Sequence, residues 1–475
     1  MNDKLIILSL FFNLSINCWA NSQPNILFIA IDDLNNWVGA LNPEMNLKTP
    51  HIDKLASEGT LFTNAHCAVP ACNPSRTSVM TGLQATTSGV YYNQQDWRLS
   101  QKLKGAITIP QHFKNHGYKV MGGGKLYHAA TLSRKGYTGL LDPKPWDEFY
   151  PSKERQMPEE VSPPNFPVNG DKKFYKGFFD WGKLDINDDE MADAKVVAWA
   201  EKQLLQKHEK PLFMAVGIYR PHIPWYTPKS YFNEYNIESL VMPEIKKNDL
   251  NDVPKLGQDM ARRSWQEWML NEGKYKEAVQ AYKASATFAD AMVGRVIKAL
   301  NEGPLSENTI VVLWSDHGYH LGHKEHWEKF ALWGQTTQVP LIVKAPNFKA
   351  GLRVNNPTSL IDIYPTLVEL SKTKSRVEFD GKSLVPWLKE GSQESTHSVL
   401  ITQGRGNHAV RSKDWHYIRY EDGSDELYHT KKDPNQFDNL SKKIEFLHIV
   451  KEHSRKIPEH EAQLDPFYKR VPKKY

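Results

Sequence analysis

One short run carries most of the chemistry in this sequence. Cys72-Asn73-Pro74-Ser75-Arg76 is followed by Met80-Thr81-Gly82. Pro74 suits the first turn of a helix and Gly82 its end. Cys72 then falls at a helix N-terminus, where unpaired N–H groups and the helix dipole favour an anion. Arg76 falls one turn along, able to reach the same anion or the nucleophile. A thiol so placed has a lowered pKa and can attack an electrophile. The plainer alternative is a Cys67–Cys72 disulfide.

Other residues of catalytic type follow apolar segments at four separate places. Asp32-Asp33 comes after the first, Lys125 and His128 after the second, His222 after the third and Asp316-His317 after the fourth. Asp32, Asp33 and Asp316 offer hard oxygen ligands of the kind Ca²⁺ prefers.

The segments themselves read as buried parallel strands: Asn25 to Ile31, Lys119 to Met121, Leu212 to Gly217, Thr309 to Trp314 and Leu341 to Val343. Helical patterns lie between them. One opens at Thr49-Pro50 and ends at Gly59; others cover Thr108 to His116, Ala192 to Leu205 and Tyr275 to Leu300. The alternation predicts an α/β fold with a mostly parallel central sheet flanked by helices. In such sheets ligands bind beyond the carboxyl ends of the strands, so all four chemical segments are expected at one edge.

After about residue 390 the pattern changes to short strands at Ser398 to Thr402, Ala409 to Val410, Trp415 to Tyr420 and Glu426 to Tyr428. Glycine-bearing or polar turns separate them, which predicts a small antiparallel sheet with a closing helix near Ile444 to Lys456. The domains are read as 1–20 signal peptide, 21–390 catalytic α/β domain and 391–475 C-terminal subdomain.

Composition sets the outer bounds. The 475 residues are 40% apolar and 24% charged, as in soluble globular proteins, with a formal net charge of +5. No block of six Lys/Arg appears, and no nucleic-acid partner is expected. Lys4 precedes an apolar run, Leu5 to Leu14, and Asn17-Cys18-Trp19-Ala20 closes it. This reads as a secretory signal cleaved after Ala20, and places the mature chain in the periplasm or outside the cell. No later stretch reaches the roughly 18 apolar residues of a membrane span, so no membrane association is expected after cleavage.

The Cys72-x-Pro-Ser-Arg run with its following Thr81-Gly82 resembles the motif of type I sulfatases, in which the cysteine becomes formylglycine. The likeness runs from Pro24-Asn25-Ile26 to Glu426-Leu427-Tyr428 and Asp433-Pro434. Gly124-Lys125-Leu126-Tyr127-His128, Pro221-His222-Ile223-Pro224 and Ser315-Asp316-His317-Gly318 look most like iduronate-2-sulfatases and their bacterial relatives. The family implies an alkaline-phosphatase-like large domain.

It also implies one calcium ion held by Asp32, Asp33, Asp316, His317 and the formylglycine oxygen at position 72. The hydrated aldehyde would attack sulfur, with Arg76 holding the hydrate and Lys125 and Lys329 binding sulfate oxygens. His222 would protonate the departing sugar oxygen, and His128 would deprotonate the second hydroxyl so that sulfate leaves. Trp97, Arg98, Arg220, Tyr319, His323, Arg405 and His408 are candidate sugar contacts, since their segments face the site in this family. His320, His323, Lys324 and His326 are expected as a basic rim or a solvated loop, with a second metal site the remote alternative.

The implied partners are a sulfated saccharide and a maturing enzyme, either the formylglycine-generating or the anaerobic sulfatase-maturating type. Two other readings stay open. One is a phosphomonoesterase or phosphodiesterase of the same superfamily; the other is a glycan-binding protein on a degenerate scaffold.

Overall fold

The apolar runs are strands buried on both faces. The computed structural model describes residues 23–129, 139–394 and 396–464; the expected signal segment lies outside them. Its main sheet has eight strands, here β1 (Asn25–Ile31), β2 (Thr60–Phe62), β3 (Lys119–Gly124), β4 (Glu148–Tyr150), β5 (Leu212–Ile218), β6 (Thr309–Ser315), β7 (Leu341–Lys344) and β8 (Leu352–Val354). Their order is β8-β2-β7-β6-β1-β5-β3-β4. The central strands β6, β1, β5 and β3 are mutually parallel.

One expectation needs correcting: β7 runs antiparallel to both of its neighbours. An apolar run of four residues shows that a strand is buried but carries no mark of its direction. Three short strands, β2, β4 and β8, gave no periodic signal at all; they complete the sheet at its margins.

Side chains alternate across the sheet with a period of two, and each half finds its own layer. Leu27, Ile29 and Ile31 pack with helices α1 (Pro50–Glu58), α4 (Ala192–Leu204) and α5 (Tyr275–Glu302). Ile26, Phe28 and Ala30 pack on the other face with α2 (Cys72–Thr81), α3 (Ile109–Asn115) and α6 (Ile363–Leu370). Among the described residues no helix is long and apolar enough to cross a membrane.

The C-terminal strands β9 (Val399–Thr402), β10 (His408–Arg411), β11 (Trp415–Arg419) and β12 (Asp425–His429) form an antiparallel meander, followed by helix α7 (Leu447–Ser454). Its Ile401, Ala409, Ile418 and Tyr428 pack on Ala331, Leu332 and Trp333. The small sheet therefore anchors the chain immediately after Lys329.

Candidate active site

Helix α2 begins at Cys72 and ends at Gly82, which takes the left-handed conformation (φ 72°). Every residue of α2 is buried. Its capping position, Ala71, offers no side-chain acceptor; the Asn73 N–H donates instead to Asn93 Oδ1 (2.9 Å), and Pro74 has no N–H to satisfy. Arg76, one turn on, aims back beneath Cys72: its Nε donates to Asp316 Oδ2 (2.7 Å) and a terminal nitrogen stands 3.5 Å from Asp32 Oδ2.

The four strand ends converge here. Asp32 N–H bonds the carbonyl of Ile218, Asp316 N–H that of Ile31, and Lys125 N–H that of Gly217 (3.1–3.2 Å). Gly217 and Gly124 permit this crossing. A Cβ on Gly124 would stand 2.0 Å from the Gly217 carbonyl oxygen, and Gly124 has φ +78°. A Cβ on Gly217 would meet the Lys125 backbone at 2.3 Å.

The Cys72 sulfur lies 3.2 Å from Lys329 Nζ, 3.3 Å from His317 Nε2 and 3.7 Å from Asp32 Oδ1. Lys125 pairs with Asp32, while Lys329 sits 2.8 Å from Asp33 Oδ1. His317 Nδ1 is 3.2 Å from the same Asp33 oxygen. His222 Nε2 stands 4.0 Å from Asp33 Oδ2. Cys67 and Cys72 are both free thiols, not a disulfide.

Charge crowds this space. Burial and Asp32 both push the Cys72 thiol up, but Lys329, Lys125 and His317 outweigh them and hold it below its ordinary value. Burial also works against ionised Asp32, yet Lys125 and Arg76 keep its carboxyl well below the usual range. Asp33 goes the other way: burial, with Asp32 and Cys72 adding, lifts it well above normal despite Lys329. Its Oδ2 is buried and accepts no hydrogen bond.

Donor atoms of Asp32, Asp33, Cys72 and His317 lie within 4.8 Å of one another. Two hard carboxylates, one of them with an unsatisfied buried oxygen, together with a ring nitrogen form a set that suits a divalent cation. Asp316 stands at the margin of this quartet. Its Oδ2 is 3.6 Å from His317 Nε2, and its Oδ1 accepts the N–H groups of Asp33 and His317.

A cavity of about 500 Å³ opens above, lined by Asn93, Gln94, Asp96, His128, Ala129, Leu140, Phe178, Tyr219, His222, Ile223, Glu328, Lys329 and Phe330. His128 is lowered to about 3, by burial first and by Lys125 second, so it stands there as a neutral imidazole. His222 is lowered well below its ordinary value, again by burial and then by Lys125 and Lys329.

A sulfatase family profile matches residues 24–373. This chain belongs to the sulfatase family. A second profile, for the C-terminal part of N-sulphoglucosamine sulphohydrolase, matches residues 322–463. The protein is a sulfuric ester hydrolase. A sulfatase of Formosa agariphila is 35% identical, over 93% of this chain and 88% of its own. An ulvan-active sulfatase of that organism is 29% identical (94% and 83%). A Δ4,5-hexuronate-2-O-sulfatase of Bacteroides thetaiotaomicron is 26% identical (91% and 88%).

Among solved structures, a 2-O GAG sulfatase matches with a TM-score of 0.68 at 23% identity, covering 92% of this chain and 91% of that one. The phosphonate monoester hydrolase of Silicibacter pomeroyi matches at 0.72 and 19% identity (91% and 94%). The fold is the alkaline-phosphatase-like one.

The sulfatase places its expected sugar contacts less uniformly than its central residues. Arg220 is fully buried, its guanidinium on Glu160. Tyr319 is buried against Tyr282 and Trp225. Trp97 stacks on Tyr127 inside the second core layer, its Nε1 donating to the Leu140 carbonyl. His408 is buried between Thr402 and Glu461.

Arg405 is exposed on the turn before β10 and does not line the cavity. Arg98 forks onto Asp96, a cavity residue, and so sits at the rim.

His320, His323, Lys324 and His326 form neither a rim nor a solvated loop, because all four are buried. Lys324 pairs with buried Asp249, and His326 links the Arg262 N–H to the Lys329 carbonyl. Their pairing inside the fold is partial: His320 Nδ1 meets the His323 carbonyl (3.1 Å), while His320 Nε2 and His323 Nδ1 are buried without a hydrogen-bond partner. Among the described residues they form no second metal-type cluster.

Asn73 was missed by sequence reasoning although it lies in the motif. Its amide donates to the carbonyls of Tyr92 and Gln95 and ties down the loop bearing Asn93 and Gln94. Tyr219 was missed too; Lys125 Nζ lies 4.4 Å from its ring centre. No local pattern marks either pairing.

Proposed function

We propose that this sulfatase releases sulfate from sugars of a sulfated oligo- or polysaccharide, using formylglycine made from Cys72 and one bound calcium ion. The observation that carries the reading is the Cys72 sulfur, held at a helix N-terminus between Lys329 and His317. Asp32, Asp33, Asp316, His317 and the oxygen at position 72 would hold the calcium. The metal would supply charge stabilisation, and the hydrated aldehyde one oxygen to attack sulfur and a second whose deprotonation expels sulfate.

The chain's own groups divide the remaining work. Lys125 and Lys329 receive the sulfate oxygens, where spreading negative charge must be met by fixed cations. Arg76, braced on Asp316, holds the nucleophile in line. His222 Nδ1–H donates to the Ile223 carbonyl (2.6 Å), which leaves Nε2 to carry a proton to the leaving oxygen. An arriving sulfate monoanion favours the protonated ring, against the lowering seen without it. His128, across the cavity, accepts the proton of the second hydroxyl.

Support for a sugar substrate comes from the relatives' names, and the hexuronate sulfatase among them favours an acidic glycan. The cavity walls of Tyr219, Phe178 and Phe330 suit the apolar faces of a sugar ring. Within this reading residues 1–20 direct export and are cleaved, so that the enzyme works in the periplasm or outside the cell. Residues 21–390 form the catalytic domain and 391–475 the C-terminal one, and the sulfatase-maturing enzyme acts on Cys72.

The test is released sulfate from a panel of sulfated saccharides, with peptide mass analysis of position 72. The active protein should carry an aldehyde in place of the thiol. An active enzyme with unmodified Cys72, or faster release of phosphate from the matching phosphate esters, would sink the reading.

A further inference from the structure

Arg220 is a buried cation that the reaction, as described, does not use. It follows β5 and precedes Pro221-His222-Ile223-Pro224, the turn that brings His222 to the cavity. Its guanidinium is fully enclosed and does not line the cavity, so neither sulfate nor sugar reaches it. All three nitrogens are nevertheless engaged. Nε donates to the Tyr226 carbonyl (3.1 Å), one terminal nitrogen faces the His222 carbonyl (3.5 Å), and the other faces Glu160 Oε2 (3.3 Å).

The anchors behind it are equally fixed. Glu160 Oε1 accepts the N–H groups of Val161 and Ala192. Asp193, in the first turn of α4, accepts the backbone N–H groups of Tyr219 (2.7 Å) and Arg220 (2.9 Å). Across the turn, Trp225 Nε1 donates to the Pro221 carbonyl (2.6 Å). The fork of Arg220 thus spans the turn and ties both its arms to one carboxylate.

A buried ion pair of this kind adds little stability over apolar packing of the same volume. Its contribution is geometric: a planar guanidinium fixes two carbonyl directions at once, which an ammonium cannot.

We propose that Arg220 is a positioning residue for His222. Held by Glu160 and Asp193, it fixes the backbone on either side of His222, and so fixes where the Nε2 proton meets the leaving oxygen. The inference rests on His222 being the leaving-group acid, as read above.

The test uses the matured, calcium-loaded enzyme and aryl sulfates from 4-nitrophenyl sulfate, whose leaving group needs no proton, to phenyl sulfate, whose leaving group does. His222→Ala is the reference and should steepen the dependence of kcat on the leaving group. Arg220→Lys keeps the buried charge and should steepen it in the same sense, losing about tenfold or more on phenyl sulfate while 4-nitrophenyl sulfate changes about twofold.

Glu160→Gln keeps an acceptor for Val161 and Ala192 and should shift the slope part-way; it carries the test if Arg220→Lys does not fold. An equal loss on every ester, with the slope of His222→Ala steepened, would overturn the positioning role alone. An unchanged slope in His222→Ala would overturn the acid assignment and the inference with it.

Discussion

The ammonium of Lys329 stands 3.2 Å from the sulfur of Cys72, although 257 positions separate the two in the chain. The same nitrogen pairs with Asp33, so one buried cation faces both the Cys72 thiol and a metal-type carboxylate. Lys329→Met keeps most of the volume and removes the charge. Loss of one such electrostatic donor costs about 10²–10³ in kcat. We expect a fall in that range for sulfate release, with Asp33 left still harder to ionise. Turnover within threefold of the parent would show that Lys329 is not in the sulfate site.

Metal removal should act on stability as well as rate. Asp32 and Asp33 are buried side by side, and Asp33 Oδ2 has no hydrogen-bond donor. A cation bound there relieves their repulsion. At calcium a hundredfold above its Kd the folded state gains about 2.7 kcal/mol. Chelation should therefore lower Tm and abolish turnover, and calcium should restore both. Asp33→Asn should blunt the calcium-dependent rise in Tm; an identical rise in that variant would refute Asp33 as a ligand.

The close crossing of β3 and β5 predicts a small change with a large effect. Gly217→Ala places a methyl group 2.3–2.5 Å from the backbone of Lys125. Backbone cannot swing aside as a long side chain does, so we expect destabilisation of about 1–3 kcal/mol. Because Lys125 itself must shift, activity should fall more than stability alone explains. Thermal melts and kcat on the same preparations separate the two effects.

Buried neutral histidines should each contribute a loss of stability in acid. Burial holds His323 at about 4 and His326 and His416 at about 3, below the ordinary value of 6.5. His326 Nδ1 accepts the Arg262 N–H and so needs the neutral ring. The unfolded chain takes up these protons near pH 6.5 and the folded chain does not. The stabilisation is therefore full above pH 6.5 and declines as pH falls from there toward 4. Each histidine contributes a slope of about 1.4 kcal/mol per pH unit in that window. Buried Asp193, Asp290 and Asp362, each raised to about 7, contribute the opposite slope, so the check is made on one histidine. The urea midpoint of His416→Gln should fall less between pH 7.5 and 5 than that of the parent, and an unchanged pH dependence would contradict the neutral, buried assignment.

The placement of Cys72 at a helix N-terminus was legible because its determinants are local. Proline and glycine spacing sets the ends of α2, and the helix N-terminus follows from those ends alone. The unbroken apolar runs of β1, β5 and β6 likewise announce strands covered on both faces, with Asp32, His222 and Asp316 beyond their carboxyl ends.

What a residue touches across the chain is not written in its neighbours. Arg220 and His323 looked like surface cations meeting a sugar, and folding enclosed both. Glu160, sixty positions from Arg220, supplies the countercharge, and only the chain path over the sheet brings it there. The antiparallel direction of β7 has the same origin. Periodicity records how much of a segment is buried; direction and partner depend on closing long loops against a packed core.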